Sequence, residues 1–402
     1  METEKPQILT PLEELESRTR KLQSFLAGNG IDGALILQNA DLFYFSGTAQ
    51  QAYLYIPAGG IPILMARKDI ERAKSESALP LVVPFRSLRD IPGILEDHGI
   101  SIPDRMGMEL DVLPTNQYFA FMALMQNKTE MVDISPAIRS IRAIKSEYET
   151  ELIRQSAAMS DRLAAEVPSI AKPGMTEIEF AGLIEATARK LGHQGITRMR
   201  LFGAELFYGH IMAGPAAAVP SYLASPTGGI GMNPSIAQGS SMRPIQANEP
   251  ILVDVVFALN GYLSDHTRIF SIGPLPEPLV KAHAAMLEIQ DAIKSAAVPG
   301  TPTGELYEMA VEKAGAQGLA DHFMGVGDQR IRFVGHGIGL EIDELPVLAK
   351  GQKMLLEKGM IVALEPKAIF PGKGVVGVEN THVVTESGLE QLGRAPDEIV
   401  VI

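Results

Sequence analysis

Five residues in the C-terminal part of this chain are of types that bind or activate a metal ion, and each is set among apolar neighbours: Asp254, Asp265, His336, Glu365 and Glu379. In ILVDVVFALNGYLSDHTRIF (251–270), every residue of the first run is apolar except Asp254. A strand of that composition is buried on both faces, and a lone ionised carboxylate there costs several kcal/mol unless it is paired or bound to a cation. Asn260-Gly261 between two apolar runs is a strong hairpin signal, because a two-residue type I′ turn needs positive φ at both central positions. That turn sets Leu259 opposite Tyr262, Asp254 opposite Thr267 and Asp265 opposite Val256. The two carboxylates then lie diagonally on one face, with Cβ atoms roughly 7–8 Å apart. Two like charges so placed repel, and a divalent cation between them reverses the sign of the interaction.

On the hairpin alone a plainer reading stays open, with Asp265 facing water near the turn and Asp254 hydrogen-bonded in the core. The C-terminal third adds three polar residues in equally unusual frames. His336 lies in FVGHGIG with a glycine on each side, Glu365 closes the apolar run MIVAL and precedes Pro366, and Glu379 follows VVGV. Singly, each has an ordinary explanation as a core histidine or a strand-end glutamate. Together, one imidazole and four carboxylates suit two divalent cations, whose four positive charges balance four negative ones. An oxygen-rich donor set favours manganese, cobalt, iron or zinc over a thiolate-type site.

The frames VDV…GYLSDHTRIF, GHGIGLE, ALEP and VENTHVVTESG carry these five residues in an order that resembles the pita-bread metallopeptidases: Xaa-Pro dipeptidase, aminopeptidase P and methionine aminopeptidase. The resemblance implies two bridged metal ions, a metal-bridging water or hydroxide as nucleophile, and Glu365 as the ligand that helps move its proton. Two cations lower the pKa of a shared water and polarise the scissile carbonyl, so no protein nucleophile is required. It implies an α+β pita-bread catalytic domain of two pseudo-two-fold halves, and a homodimer. NADLFYFSG and GMELDVLPTNQY are similar to the smaller α/β domain that precedes the catalytic domain in the Xaa-Pro enzymes and creatinase, which favours that branch over the methionine aminopeptidases.

Three positions depart from the family pattern. Seven residues after Gly214, where a histidine is usual, stands Ser221; after GHGIGLE, where a second histidine is usual, stands IDELP with Asp343; two before Glu379, where many members carry arginine, stands Gly377. Those histidines contact substrate and stabilise the tetrahedral intermediate in the family. Ser221 and Asp343 are therefore candidate catalytic positions, Asp343 as the site for a substrate ammonium or as a base; the plain reading is drift to a neutral pocket wall. His210 and Tyr208 are candidates to line the substrate pocket, although a lone histidine is more often structural. The Gly, Pro and Ser-rich stretch 226–249 reads as a long loop and a candidate lid.

The elements that must position these residues can be read in outline. Ser146-Glu147-Tyr148-Glu149 is a capping box opening a long helix, and with the change in texture near 140–145 it sets the domains at 1–143 and 144–402. Within the second, Ala157-Ala158-Met159 before Pro173-Gly174 is echoed by Ala284-Ala285-Met286 before Pro299-Gly300, a weak repeat of helix, turn, helix and strands, with Thr176 capping the second helix. In the first domain, 12–27 reads as an amphipathic helix stopped at Gly28 and Gly30. Strands are expected at 31–37, 41–47, 52–56, 60–66 and 79–84, and helices at 69–75 and 91–98.

Composition excludes several classes. At 402 residues, with 46% apolar and 21% charged residues, the chain can bury a large core in two or three domains. A net charge of −13 argues against nucleic-acid or anionic-membrane binding, and no apolar run reaches membrane-span length. Zero cysteines exclude disulfides and zinc-thiolate sites. With no signal-peptide pattern at the start, a cytoplasmic location is expected. The resulting expectation is a cytoplasmic dinuclear hydrolase cleaving an N-terminal Xaa-Pro or similar small peptide bond. The alternatives are a lyase or C–N hydrolase on the same scaffold, or a catalytically silent binding protein.

Overall fold

Ser146 and Thr176 start helices as their spacing predicts. The structure, a computed structural model, describes residues 8–201, 205 and 208–402. In it Ser146 Oγ accepts from the Glu149 amide at 3.2 Å and the Glu149 carboxylate accepts from the Ser146 amide at 3.1 Å, opening the helix Glu147–Ile170. Thr176 caps the helix Glu177–Lys190 in the same way, accepting from the Glu179 amide.

The chain divides into two compact units, Met1–Arg142 with Arg200–Gly203, and Ala143–Met199 with Ala204–Ile402. The first is an α/β unit around a six-stranded mixed sheet in the order Val82–Pro84, Ile63–Ala66, Ala52–Pro57, Gly33–Ile36, Arg105–Met108, Glu130–Asp133. Leu35, Tyr55, Met65, Met106 and Phe121 form its core. The helices Leu12–Gly28, Ile70–Glu76 and Ile91–Asp97 fall where the sequence puts them. The expected strand at 41–47 is instead part of a helix, Asn39–Ser46. The Gln38 side chain caps it by accepting from the Asp41 amide at 2.8 Å, and Gly47 ends it at φ 76°. Because Leu42, Tyr44 and Phe45 are all buried, this helix shows an unbroken apolar run rather than a helical stripe, and such a run does not distinguish helix from strand.

The second unit is α+β and internally repeated. Two helix pairs, Glu147–Ile170 with Glu177–Lys190 and Glu277–Ala296 with Thr303–Ala316, are each joined through a left-handed glycine, Gly174 at φ 78° and Gly300 at φ 90°. Strands follow each pair. The first set, joined by the C-terminal strand Val400–Val401, forms a four-stranded sheet in the order Val400–Val401, Tyr262–Ser271, Ile251–Leu259, Gly209–Ala213. The second forms a five-stranded sheet, Ile342–Ala349, Phe333–Ile338, Ile361–Leu364, Asn380–Thr385, Gly388–Gln391, and a ribbon, Lys367–Phe370 with Gly374–Gly377. Leu252, Ile269, Met286, Ile289, Val362 and Leu364 belong to the core that these elements share.

The hairpin has the register set by its turn: Leu259 faces Tyr262, Asp254 faces Thr267 and Val256 faces Asp265. Asn260 at φ 52° and Gly261 at φ 88° supply the two positive φ values. The stretch 226–249 forms no helix or named strand, yet it is tied down. Thr227 Oγ1 meets His210 Nδ1 at 3.0 Å, Ser240 donates to Ile211 O at 2.6 Å, and Ser241 donates to the buried Glu177 at 2.6 Å. Only its tip, 232–237, is exposed throughout.

His382 makes folding of this unit sensitive to acid. It is 0% exposed, and burial holds its imidazole down at about 3. The unfolded chain would bind a proton at about 6.5, so the folded state is favoured above that value and loses stability as pH falls toward about 3. Lowering the pH from 7 to 5 should remove about 2 kcal/mol through this residue alone. Denaturant melts of the wild type and His382→Leu across that range check it: the variant should have the shallower acid limb.

Candidate metal centre

The hairpin supplies Asp254 and Asp265, one from each strand. His336 comes from Phe333–Ile338, which pairs with Ile361–Leu364 so that His336 lies opposite Ala363; the Glu365 amide continues the pairing to Val334 O at 3.0 Å. Glu379 joins the two halves: its amide and carbonyl exchange backbone hydrogen bonds with Thr267, at 3.3 and 3.2 Å. That two-bond bridge sets Glu379 beside the hairpin carboxylates. The structure thus brings together all five residues singled out in the sequence.

His336 Nε2 faces three carboxylate oxygens at nearly equal distance: Glu379 Oε1 at 3.7 Å, Asp265 Oδ2 at 3.8 Å and Glu365 Oε1 at 3.9 Å. None is close enough for a hydrogen bond. Donors bound to one ion at about 2.0–2.6 Å are separated by such distances, and one ligand atom from each of Asp265, His336 and Glu379 lies within 4.8 Å of the others. One divalent cation fits this group.

The rest of the cluster is organised by Lys367, whose place in the site its sequence context does not reveal. Its side chain is 1% exposed. Nζ donates to Asp254 Oδ2 at 2.9 Å, Glu365 Oε2 at 2.8 Å and Glu379 Oε2 at 2.8 Å. An ammonium has three donors, and all three are used. A cation on Asp254 would compete with this ammonium for the same oxygens. Gly377, opposite Lys367 in the ribbon, provides the room. Its φ is 153°, and an added Cβ would stand 2.7 Å from Lys367 Cα and 3.0 Å from Lys367 Cγ.

Charge is unevenly distributed over the site. Burial would raise Glu379, but Lys367 and His336 hold it at about 2. Burial raises Glu365 to about 7 even beside Lys367. Asp265, pushed well up by burial and then by Glu379 and Asp254, has no contact with the lysine. Burial disfavours the charged forms of His336 and Lys367, yet the surrounding carboxylates hold both well above their usual values. Of the carboxylates around His336, Asp265 and Glu365 are therefore the ones short of positive charge.

The supporting groups are fixed. Asp265 Oδ1 accepts from the His266 amide at 3.0 Å, and Thr381 Oγ1 clasps the Asp265 backbone, accepting from its N–H at 2.9 Å and donating to its carbonyl at 3.0 Å. Thr267 Oγ1 donates to Glu379 Oε2 at 3.0 Å. Arg268, buried behind the site, donates to Thr267 O at 2.8 Å and Glu379 O at 3.1 Å, holding the carbonyls of the bridge itself. A lysine directly after Glu365-Pro366 and an arginine in the middle of a buried strand were the available signals for these residues.

The other singled-out residues take separate places. Asp343 Oδ1 is 3.5 Å from His336 Nδ1, on the opposite side of the ring from the three carboxylates; its side chain is 49% exposed and its φ is 61°, a left-handed conformation that aspartate tolerates. His210 is the cross-strand neighbour of Asp254, paired with it in the register of Gly209–Ala213 and Ile251–Leu259. The Tyr208 ring stacks on His193 at 4.2 Å and packs with the apolar cluster around Phe257. Ser221 Oγ accepts from the Leu223 amide at 3.0 Å.

Residues 151–386 match metallopeptidase family M24, and residues 18–144 match the creatinase/prolidase N-terminal domain. The chain belongs to family M24. Among M24 relatives, the Xaa-Pro dipeptidase of Pyrococcus furiosus is 27% identical over 390 residues, spanning 96% of this chain and 100% of the relative. The Xaa-Pro dipeptidase of Lactobacillus delbrueckii subsp. lactis is 27% identical over 396 residues, spanning 95% and 98%. In fold, the chain is similar to the Xaa-Pro dipeptidase from Bacillus anthracis, with a TM-score of 0.82 at 23% identity over 96% of this chain and 100% of that one. Membership in M24 brings divalent metal ions, for which Asp265, His336 and Glu379 are a ready group.

If Arg268 positions the site through the bridge carbonyls, Arg268→Met should cost about 1–3 kcal/mol of stability for each buried carbonyl left without its donor. It should also weaken metal binding at temperatures where the variant is still folded. Calorimetric melts with metal titrations well below the transition separate the two effects; unchanged affinity would reduce Arg268 to a purely structural role.

Proposed function

We propose that this chain is a metal-dependent peptidase that cleaves the N-terminal bond of Xaa-Pro dipeptides or similar short peptides. The observation that carries the reading is the convergence of Asp265, His336 and Glu379 on one gap, in an M24 chain that aligns almost end to end with Xaa-Pro dipeptidases. Bound metal, with manganese, cobalt, iron or zinc suited to the donors, would polarise the scissile carbonyl and lower the pKa of a bound water. Glu365, at the edge of that gap, is the group assigned to move the proton. Asp343, half exposed on the outer side of His336, is assigned to the free amine of the substrate. His210, Tyr208 and Ser221 are assigned to the substrate side, though the stacking of Tyr208 on His193 makes its part an indirect one. The assignment takes 1–143 and 144–402 as the domains. It also takes the molecule as a cytoplasmic homodimer, which the lack of cysteine and the family resemblance support.

The test is release of free amino acid from a panel of Xaa-Pro dipeptides, with and without chelator. With Ser221 and Asp343 in place of histidines, an oxyanion donor is missing, a loss of about 10²–10³ in turnover. The wild type should therefore be slow and chelator-sensitive, and the pair Ser221→His with Asp343→His should be faster. Turnover of about 1–10³ per second in the unaltered protein would show that these two positions do not limit the reaction. No cleavage by either protein would overturn the peptidase reading.

A further inference from the structure

We propose that Lys367 is a built-in cation occupying one of the two positive positions of this centre, so that each chain binds a single divalent ion, held by Asp265, His336 and Glu379 with Glu365 at its edge. The inference rests on the metal-dependent reading but not on the identity of any substrate.

The geometry divides the ligands into two groups. Around His336 Nε2, three carboxylate oxygens stand at 3.7–3.9 Å, too far for hydrogen bonds and at a spacing that donors sharing one ion adopt. Around Lys367 Nζ, three carboxylate oxygens stand at 2.8–2.9 Å, the spacing of completed charge-assisted hydrogen bonds. Glu365 and Glu379 each turn one oxygen to His336 and the other to Lys367. Asp265 faces only the histidine side, and Asp254 Oδ2 is bonded to the lysine.

Asp254 and Asp265 lie on one hairpin and together would be expected to hold a pair of ions, but the ammonium has taken the Asp254 position. Its charge meets part of the demand that a second divalent ion would meet. The four carboxylates then face one monovalent and one divalent cation, leaving a site less positive by one unit than two divalent ions would make it.

Gly377 and Lys367 work as one device. The lysine stem crosses the ribbon at the point where Gly377 leaves it room, and any side chain at 377 would strike Lys367 or the Pro366 carbonyl. The residue without a side chain and the cation thus face each other across the two strands of the ribbon.

Metal counting tests the inference without reference to activity. Chelator-stripped protein is loaded with Mn²⁺ or Co²⁺, freed of excess ion and measured for bound metal per chain; the Mn²⁺ form is also read by electron paramagnetic resonance. The wild type should bind one ion and give the spectrum of an isolated Mn²⁺. Lys367→Gly should bind two and give a spin-coupled pair. Asp254→Asn should keep its one ion, because Asp254 serves the lysine.

Two ions, or none, in the wild type would overturn the proposal. So would loss of the ion from folded Asp254→Asn, or a count of one in folded Lys367→Gly. If Lys367→Gly does not fold, the wild type and Asp254→Asn still decide. A one-ion protein that cleaves no peptide would leave this inference standing and remove the peptidase reading; a two-ion protein that cleaves Xaa-Pro dipeptides would do the reverse.

Discussion

Four carboxylates buried against one another are the constraint on which the rest of the catalytic unit depends. Taken alone, Asp254, Asp265, Glu365 and Glu379 would repel one another in a low-dielectric setting where each already loses hydration. Their placement is tolerable because Lys367 neutralises one side of the cluster through three short hydrogen bonds and His336 faces the other. The opposite directions of shift at neighbouring glutamates follow from this. Glu379 lies between both cations and is held at about 2, while Glu365 is pushed by burial to about 7.

The architecture brings that charge together with very few cross-links. Asp254 and Asp265 are fixed to each other by hairpin register, and His336 and Glu365 by adjacent strands of the second sheet. The backbone exchange between Thr267 and Glu379 and the clasp of Thr381 on the Asp265 backbone tie the two sets directly, and Arg268 holds both carbonyls of the exchange. The arginine therefore acts on the site without touching a ligand side chain. A buried guanidinium with most of its donors on backbone carbonyls fixes geometry in a way an apolar residue of the same volume would not.

What the sequence disclosed depended on whether the deciding force was local. Asn260-Gly261 determined the hairpin register because positive φ at both turn residues admits few alternatives, and Ser146 and Thr176 marked helix starts because capping acts over three residues. The five candidate ligands were legible because charged residues in apolar frames need an explanation. The helix Asn39–Ser46 was not, since burial on nearly all sides erased its periodicity and left the Gln38 cap and Gly47 as the only signs. Lys367 was hidden for a different reason. A lysine in a short strand reads as solvent-facing until the neighbouring strands are known, and its three partners lie 113, 2 and 12 residues away.

The lysine also limits which chemistry the site can perform. An ammonium that donates all three protons to carboxylates has no lone pair to attack a carbonyl and no free donor to offer a substrate. Releasing a proton would leave those carboxylates with less compensation, and the same three partners raise the cost of doing so. Lys367 is thus poorly suited to act as a nucleophile, a Schiff-base former or a general base. Its effect is electrostatic and steric: it satisfies Asp254, draws one oxygen from each of Glu365 and Glu379, and leaves their other oxygens with Asp265 around His336. Reactive capacity is thereby concentrated at the histidine side, where the donors are unpaired with one another and where Asp343 stands at the solvent-facing edge. A fixed cation of this kind cannot dissociate as a metal ion can, so one of the two cation positions has become part of the fold.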